Sequence, residues 1–151
     1  MTTPSDAQRS EAGLRAQAMR ATLPSRWLAD ALGIEIVSME PDRVVATMPV
    51  DDRTRQPYGI LHGGASVALA ETVCSIGSTL NLPDDNHTGV GLEINANHIR
   101  AKKDGIVTAV GKPIHVGKRT QVWEIRIEDE QHKLVCLSRC TIAIIPKGAH
   151  S

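Results

Sequence analysis

A single charged side chain, Glu71, interrupts the longest apolar segment of the sequence and is the first candidate for chemistry. Between Arg55 and Asp84 it is the only Asp, Glu, Lys or Arg. Burying a carboxylate in an apolar helix is costly unless the group is paired or neutralised, and no basic residue lies within a helical turn. The carboxylate either pairs with a distant arginine or an interface partner, or acts as a base or nucleophile in a pocket. The rest of its helical face is small and partly hydroxylated, which is typical of a pocket wall: Val67, Ala68, Ser75 and Ser78.

Two glycines, Gly63 and Gly64, begin the same segment and form the second candidate. Glycines at a helix N-terminus leave backbone N–H groups accessible, and the helix dipole favours negative charge there. That environment suits the oxyanion that develops when a carbonyl is attacked. Tight packing where the loop enters the helix is the alternative, and for a glycine pair taken alone it is the favoured interpretation.

The spacing between the two candidates determines how they could act together. Gly63 and Glu71 are eight residues apart, which is about 12 Å along one helix axis. One glutamate cannot span that distance to a carbonyl held at its own helix start. Two antiparallel copies of the helix related by a two-fold axis would bring Gly63 of one chain to Glu71 of the other. A shared site therefore requires a symmetric dimer.

The element that must carry both candidates is a long helix. Apolar residues recur at helical spacing on one face of 63–82, and no proline interrupts the segment before Pro83. These apolar positions are Leu69, Val73, Ile76 and Leu80. Before this helix the sequence predicts a short helix over 27–32 closed by Gly33, a β-hairpin within 34–50 and a loop over 51–61.

Four β-like segments follow the long helix and complete the predicted fold. They are GVGLEINANHIRA, IVTAVGKPIHV, TQVWEIRIED and KLVCLSRCTIAII. Two strands, one long helix and four strands predict an α+β domain in which an antiparallel sheet wraps around the helix. We expect this domain to occupy 23–147, after an N-terminal arm over 1–22 that is either flexible or helical.

Composition excludes several classes of function. The 17 basic and 17 acidic residues balance, so nothing indicates a nucleic-acid or anionic-membrane partner. No apolar run reaches membrane-spanning length and the N-terminus lacks a signal-peptide core, so we expect a cytoplasmic protein. The three cysteines, Cys74, Cys136 and Cys140, have no zinc-site or redox spacing and are predicted to be buried thiols.

The segment over 53–78, RTRQPYGILHGGASVALAETVCSIGS, resembles the signature of hotdog-fold acyl-CoA thioesterases. The likeness is to the Glu-dependent 4-hydroxybenzoyl-CoA thioesterase type. It is closest to 1,4-dihydroxy-2-naphthoyl-CoA hydrolases, which would suit menaquinone biosynthesis, and to the proofreading thioesterase of siderophore synthesis. The resemblance covers 30–146, and GLEINANHIR and KPIHVGKRTQVWEI also match that subgroup. The Tyr-Asp and His-Phe-Pro-Gly motifs of other hotdog enzymes are absent.

The resemblance implies a role for each matching residue. Glu71 takes the position of the catalytic carboxylate, as nucleophile or general base, and Gly63 supplies the N–H that polarises the thioester carbonyl. Gln56 and His62 would line the carbonyl and the attacking water, and Ser75 would position that water. The implied substrate- and CoA-binding residues are Gly91, His98, Ile99, Arg100, Ala101, His115, Val116, Gly117, Lys118, Arg119 and Thr120.

Hydrolysis of an aromatic acyl-CoA thioester to free acid and CoA is the leading hypothesis. A thiolate leaves readily, so the reaction needs a polarised carbonyl and one base or nucleophile, with no metal and no cofactor beyond the CoA of the substrate. The expected assembly is a homodimer with composite sites, doubled to a tetramer. A non-catalytic acyl-CoA or acyl-carrier binding protein, and a proofreading hydrolase acting on an aryl-carrier protein, remain the alternatives.

Overall fold

Two strands, a long helix and four further strands follow one another along the chain, as the sequence predicts. The computed structural model describes residues 6–24 and 27–148. The helices are α1 (Asp6–Thr22), α2 (Leu28–Leu32) and α3 (Gly63–Leu80). The strands are β1 (Glu35–Glu40), β2 (Arg43–Pro49), β3 (His87–His98), β4 (Ile106–Val116), β5 (Thr120–Glu128) and β6 (Leu134–Pro146).

The six strands form one antiparallel sheet in the order β1-β2-β4-β5-β6-β3. Helix α3 packs against one face of this sheet and touches every strand. The predicted α+β architecture, a sheet wrapped around one central helix, is confirmed. Strand β3 follows α3 in sequence but lies at the edge of the sheet beside β6, the last strand. One side of β3 is therefore hydrogen-bonded to β6 and the other side is open.

The predicted apolar face of α3 is buried, at 0 to 4% exposure for Leu69, Val73, Ile76 and Leu80. The helix ends two residues earlier than expected, because the Asn81 side chain donates hydrogen bonds to the carbonyl oxygens of Gly77 and Pro41. The last turn is thereby capped and tied to the turn between β1 and β2.

The close approach of α3 to the sheet depends on a glycine at each of two contacts. The ring of Trp123 from β5 is fully buried and lies so near Gly77 that a Cβ there would be 2.3 Å from it. On β4, a Cβ at Gly111 would lie 2.4 Å from Val73 Cγ1. Glycine on one partner accommodates the large side chain of the other at both contacts.

Helix α1 forms most of the N-terminal arm, which the sequence predicts to be either flexible or helical. It buries Ala12 and Ala16, and the Arg15 guanidinium donates a hydrogen bond to the Leu82 carbonyl oxygen just beyond α3. No helix within 6–24 and 27–148 has the length and apolar character needed to cross a membrane.

The three cysteines are buried free thiols, as predicted. Hydrogen bonding with the Cys140 thiol, together with burial, raises the pKa of Cys74, and burial raises the pKa of Cys136. Since the thiolate is the reactive form, these side chains act as small apolar core residues.

We expect Gly77→Ala to lower the free energy of unfolding by about 1–3 kcal/mol, the usual range for overpacking. The added methyl meets the Trp123 ring, which is fully buried and has no room to retreat. Gly13→Ala in α1 is the matched control, because a Cβ there meets no atom within 4 Å. The control should be neutral or stabilise by about 0.5–1 kcal/mol. Urea denaturation compares the two, and an unchanged midpoint for Gly77→Ala would contradict the packing account.

Candidate active site

The loop before α3 is held by backbone hydrogen bonds that fix the start of the helix. The N–H of His62 donates to the Thr54 carbonyl oxygen at 2.8 Å, and the N–H of Leu61 donates to the Lys102 carbonyl oxygen at 2.7 Å. Inside the loop, a hydrogen bond from the N–H of Gln56 to the Ile60 carbonyl oxygen, at 2.8 Å, closes a tight turn. Gln56 and His62 therefore lie on a constrained loop, as a positioned site requires.

His62 is the N-cap of α3. Its Nδ1 accepts a hydrogen bond from the Gly64 N–H at 2.8 Å, and its carbonyl oxygen accepts from the N–H groups of Ala65 and Ser66. Because Nδ1 is an acceptor, the neutral ring carries its proton on Nε2, which is then a donor. The N–H of Gly63 has no acceptor within the part of the chain that the structure describes. One open N–H and one imidazole donor thus occur side by side at the helix start.

Glu71 lies on an exposed face of α3, so the expectation that this carboxylate is buried is wrong for the single chain. The helix buries the face against the sheet and leaves the opposite face uncovered. Ser75, one turn further on, is also exposed, and Val67 and Ala68 are half-buried, whereas Ser78 is buried. Among the described residues the Glu71 carboxylate has no ion-pair or hydrogen-bond partner. An unusual patch results, apolar and small around one lone negative charge.

Strand β3 runs antiparallel to α3 and touches both candidate groups. A Cβ at Gly91 would lie 2.9 Å from Glu71 Oε1, and a Cβ at Gly63 would lie 2.8 Å from His98 Nε2. His98 therefore contacts the helix start, and Gly91 contacts the carboxylate. Neither contact was predicted from the sequence. The spacing of Gly89 and Gly91 was the available signal, since residues two apart in a strand share a face.

The predicted site residues separate into two groups within one chain. Glu71 and Gly91 lie toward the end of the sheet where β5 begins, because Thr120 and Val90, the neighbour of Gly91, both pair with Ala143. Ser75 follows Glu71 one turn further along α3. Gly63, His62 and Gln56 lie near the end of β3 where His98 pairs with Cys136. Residues 136 and 143 of β6 are about 24 Å apart along the strand. A single chain does not bring the two groups together.

The turn between β4 and β5 is a solvent-facing basic segment. The Gly117 N–H donates to the Thr120 carbonyl oxygen at 2.9 Å, and a Cβ at Gly117 would lie 2.5 Å from the His115 ring. Lys118 and Arg119 are exposed, as is Val116. These side chains are accessible to a ligand, which is what the prediction of CoA contact requires.

The second predicted CoA segment is exposed beyond the end of β3. The N–H groups of Ile99 and Arg100 donate to the Val135 carbonyl oxygen, and the Arg100 and Ala101 side chains are exposed. Lys102 is engaged elsewhere, because its ammonium pairs with Glu130 at 2.5 Å. That pairing, together with the Ile106 N–H, lowers the pKa of Glu130 to about 2. The basic cluster around Arg100 is therefore smaller than the sequence indicates.

A groove of about 620 Å³ lies between α1, the end of α3 and the end of β4. Apolar side chains that line it include Leu80, Leu82, Ile114 and Val116, and Arg15 and His115 lie at its sides. The groove borders the predicted CoA-binding turn and not Glu71. No group of three His, Cys, Asp or Glu side chains in the described ranges is placed to hold a metal. That the reaction needs no metal and no cofactor stays a prediction.

The fold agrees with comparisons to known proteins. The chain belongs to the thioesterase superfamily, whose model matches residues 58–136. It is a thioester hydrolase, as the sequence predicts.

Within the superfamily the chain is similar to proteins of one subgroup. It is 52% identical to a 1,4-dihydroxy-2-naphthoyl-CoA hydrolase of Listeria monocytogenes, over 80% of this chain and 97% of that one. It is 51% identical to the Escherichia coli protein of the same name, over 76% and 83%. A crystal structure of a Haemophilus influenzae thioesterase matches with a TM-score of 0.79 and 44% identity, covering 99% of this chain and 96% of that one.

Proposed function

We propose that the protein hydrolyses aromatic acyl-CoA thioesters, with Glu71 as nucleophile or general base and the Gly63 N–H polarising the carbonyl. The observation that carries the proposal is an uncompensated carboxylate on the same helix as an open backbone N–H. Two relatives more than half identical are named for hydrolysis of 1,4-dihydroxy-2-naphthoyl-CoA, which supports an aromatic acyl group and a place in menaquinone biosynthesis.

The chemistry assigns one step to each group. The thioester carbonyl oxygen accepts the Gly63 N–H, and the His62 Nε2–H and the Gln56 amide lie within the same loop as further donors. Either Glu71 removes a proton from a water that attacks the carbonyl carbon, or the carboxylate attacks and water hydrolyses the resulting anhydride. In the first route the C–S bond breaks when the tetrahedral intermediate formed by water collapses. In the second route it breaks as the anhydride forms, before water attacks. In both routes the thiolate leaves and takes up a proton, and the acyl group is released as the free acid. Ser75, one helical turn from Glu71, would orient the water.

We propose that the site is shared between two protomers. Gly63 and Glu71 lie about 12 Å apart on one straight helix, and the two CoA segments lie at opposite ends of β6. A two-fold axis beside β3 would unite both pairs at once. The open edge of β3, with Leu92 63% exposed, offers a surface for such a partner.

A dimer of dimers is the assembly that we propose beyond this. On the sheet face away from α3, Lys112 pairs in register with Glu124, and Glu124 with Arg139. All three side chains are exposed. Alternating charges across neighbouring strands can complement a second copy of the same face.

The nucleotide of CoA would bind where the two basic segments meet. Arg100 of one protomer and Lys118 and Arg119 of the other are exposed cations on short loops, suited to phosphate groups. The groove bordering His115 supplies an apolar surface beside them. For the acyl group, Tyr58 is 86% exposed on the loop before α3 and offers an aromatic face to a ring.

We expect Glu71→Gln to lower kcat by about 10²–10⁴-fold, the usual contribution of a general base. The amide keeps the size of the side chain but neither accepts a proton nor attacks a carbonyl. Glu40→Gln, an exposed residue at the end of β1, is the charge-matched control and should behave as wild type. Thiol release from benzoyl-CoA and aliphatic acyl-CoA substrates, followed with a thiol-reactive dye, measures both. A wild-type rate for Glu71→Gln would exclude the mechanism, and no thiol release from any substrate by the wild-type protein would favour a binding protein.

The role of the Gly63 N–H can be tested with a substitution that removes the amide hydrogen. Proline is tolerated at the first position of a helix, and His62 already has the extended backbone (φ −71, ψ 131) that a residue before proline prefers. Gly63→Pro should lower kcat by about 10²–10³-fold, as loss of an oxyanion donor does. Gly63→Ala introduces a Cβ at the same place beside His98 but keeps the N–H, so it should retain most of the activity. Equal losses in both variants would contradict the proposed role.

Mixing the two inactive variants tests whether the site is composite. A heterodimer of Gly63→Pro and Glu71→Gln chains pairs one intact Gly63 with one intact Glu71. After random exchange of subunits, about a quarter of all sites should be intact. Activity should therefore rise to about a quarter of the wild-type value after the mixture is unfolded and refolded. A mixture that stays inactive, although mass spectrometry shows heterodimers, would place both groups of the site within one chain.

A further inference from the structure

Gly91 is the residue against which the Glu71 carboxylate rests. A Cβ built at Gly91 would lie 2.9 Å from Glu71 Oε1 and 4.0 Å from its Cδ. The φ angle of Gly91 lies outside the left-handed region, which among the described glycines occurs at residues 33, 59, 105 and 148. Backbone conformation therefore does not demand glycine at this position. The demand comes from the space that the carboxylate occupies.

A β-bulge lies at the same point of β3. Gly91 pairs with Ile142 and Glu93 pairs with Thr141, so Leu92 is an extra residue without a partner in the ladder. A bulge bends its strand and changes which way the neighbouring residues face, and bulges are frequent beside active sites. Here the bulge begins immediately after the glycine that contacts the carboxylate.

Within the described part of the chain, no hydrogen bond or ion pair holds the Glu71 carboxylate. Its position on this side is therefore limited by the backbone of β3 at Gly91. From this contact, and building on the proposed role of Glu71, we infer that Gly91 is a positioning residue. By lacking a side chain it lets the carboxylate lie back against the strand, in line with a carbonyl held at the partner's helix start.

This role differs from the CoA contact that the family resemblance implies for Gly91. A residue that contacts CoA affects substrate binding, whereas a residue that positions the base affects the chemical step. A methyl group at residue 91 would push the end of the flexible glutamate side chain away from the strand. Because that end is exposed, the shift needs no repacking of the core.

The test compares Gly91→Ala with Gly89→Ala, which adds a methyl to the same face of β3. A Cβ at Gly89 would lie 2.8 Å from Ser78 Oγ and 3.0 Å from Ile142 Cγ2, both in buried side chains. Gly91→Ala should lower kcat by about 10–10²-fold, since misplacing a reacting group by about 1 Å has an effect of that size. Its KM, unfolding midpoint and oligomeric mass should be unchanged. Gly89→Ala should show the reverse, a lower unfolding midpoint with kcat close to wild type.

A double-mutant cycle with Glu71→Asp separates positioning from any other effect of the methyl group. The aspartate is one methylene shorter and does not reach residue 91, so Gly91→Ala should have no further effect once Glu71→Asp is present. The two substitutions should thus be strongly non-additive in kcat. Additive effects on kcat would contradict the inference.

Three other outcomes would overturn it. A raised KM with unchanged kcat would assign Gly91 to CoA binding, wild-type kinetics would show that the contact does not matter, and loss of the dimer would make the defect structural. Failure of the underlying mechanism is separately visible, because in that case Glu71→Gln itself would remain active.

Discussion

The close approach of α3 to the sheet is the constraint on which the rest of the structure depends. Trp123 fills the space that Gly77 leaves on the helix, and Val73 fills the space that Gly111 leaves on β4. At both contacts a large side chain packs against a glycine. These contacts fix the rotation of the helix and its distance from the sheet. Once the helix is fixed in this way, the face that carries Glu71 must point away from the core. The uncovered carboxylate is thus a consequence of how the core packs.

A rigid helix also decides how the site can be built. Its open N-terminus and its carboxylate are separated by more than two turns, and no rotamer of a glutamate closes that distance. The basic loops are divided in the same sense, with Arg100 at one end of the sheet and Arg119 at the other. Both pairs are separated in the same direction. One symmetry operation that brought a second chain alongside in the opposite direction would therefore close both gaps. The single two-fold axis that we propose would account for the placement of both pairs of groups.

Much of this could be predicted from sequence, because periodicity reports local structure. The helix over Gly63–Leu80 and the lone charge of Glu71 were visible in the spacing and type of residues. The exposure of Glu71 in the single chain could not be predicted. An apolar helix face has the same sequence pattern whether its own chain or another chain covers it. The pairing of Lys102 with Glu130 joins residues 28 positions apart in sequence and depends on strand order, which periodicity does not determine. For the same reason, the contact between Gly91 and Glu71 required the structure.

The bulge at Leu92 has a consequence for how two copies of the chain could recognise each other. A long, regular strand at a sheet edge can add another strand in many alignments, which is how misassembly and fibril growth begin. A bulge interrupts the row of N–H and C=O groups at one defined point of β3. An incoming strand can then keep its hydrogen bonds on both sides of the interruption in few alignments. Leu92, the extra residue of the bulge, therefore limits the number of strands that can pair with the open edge of β3 in a newly made chain.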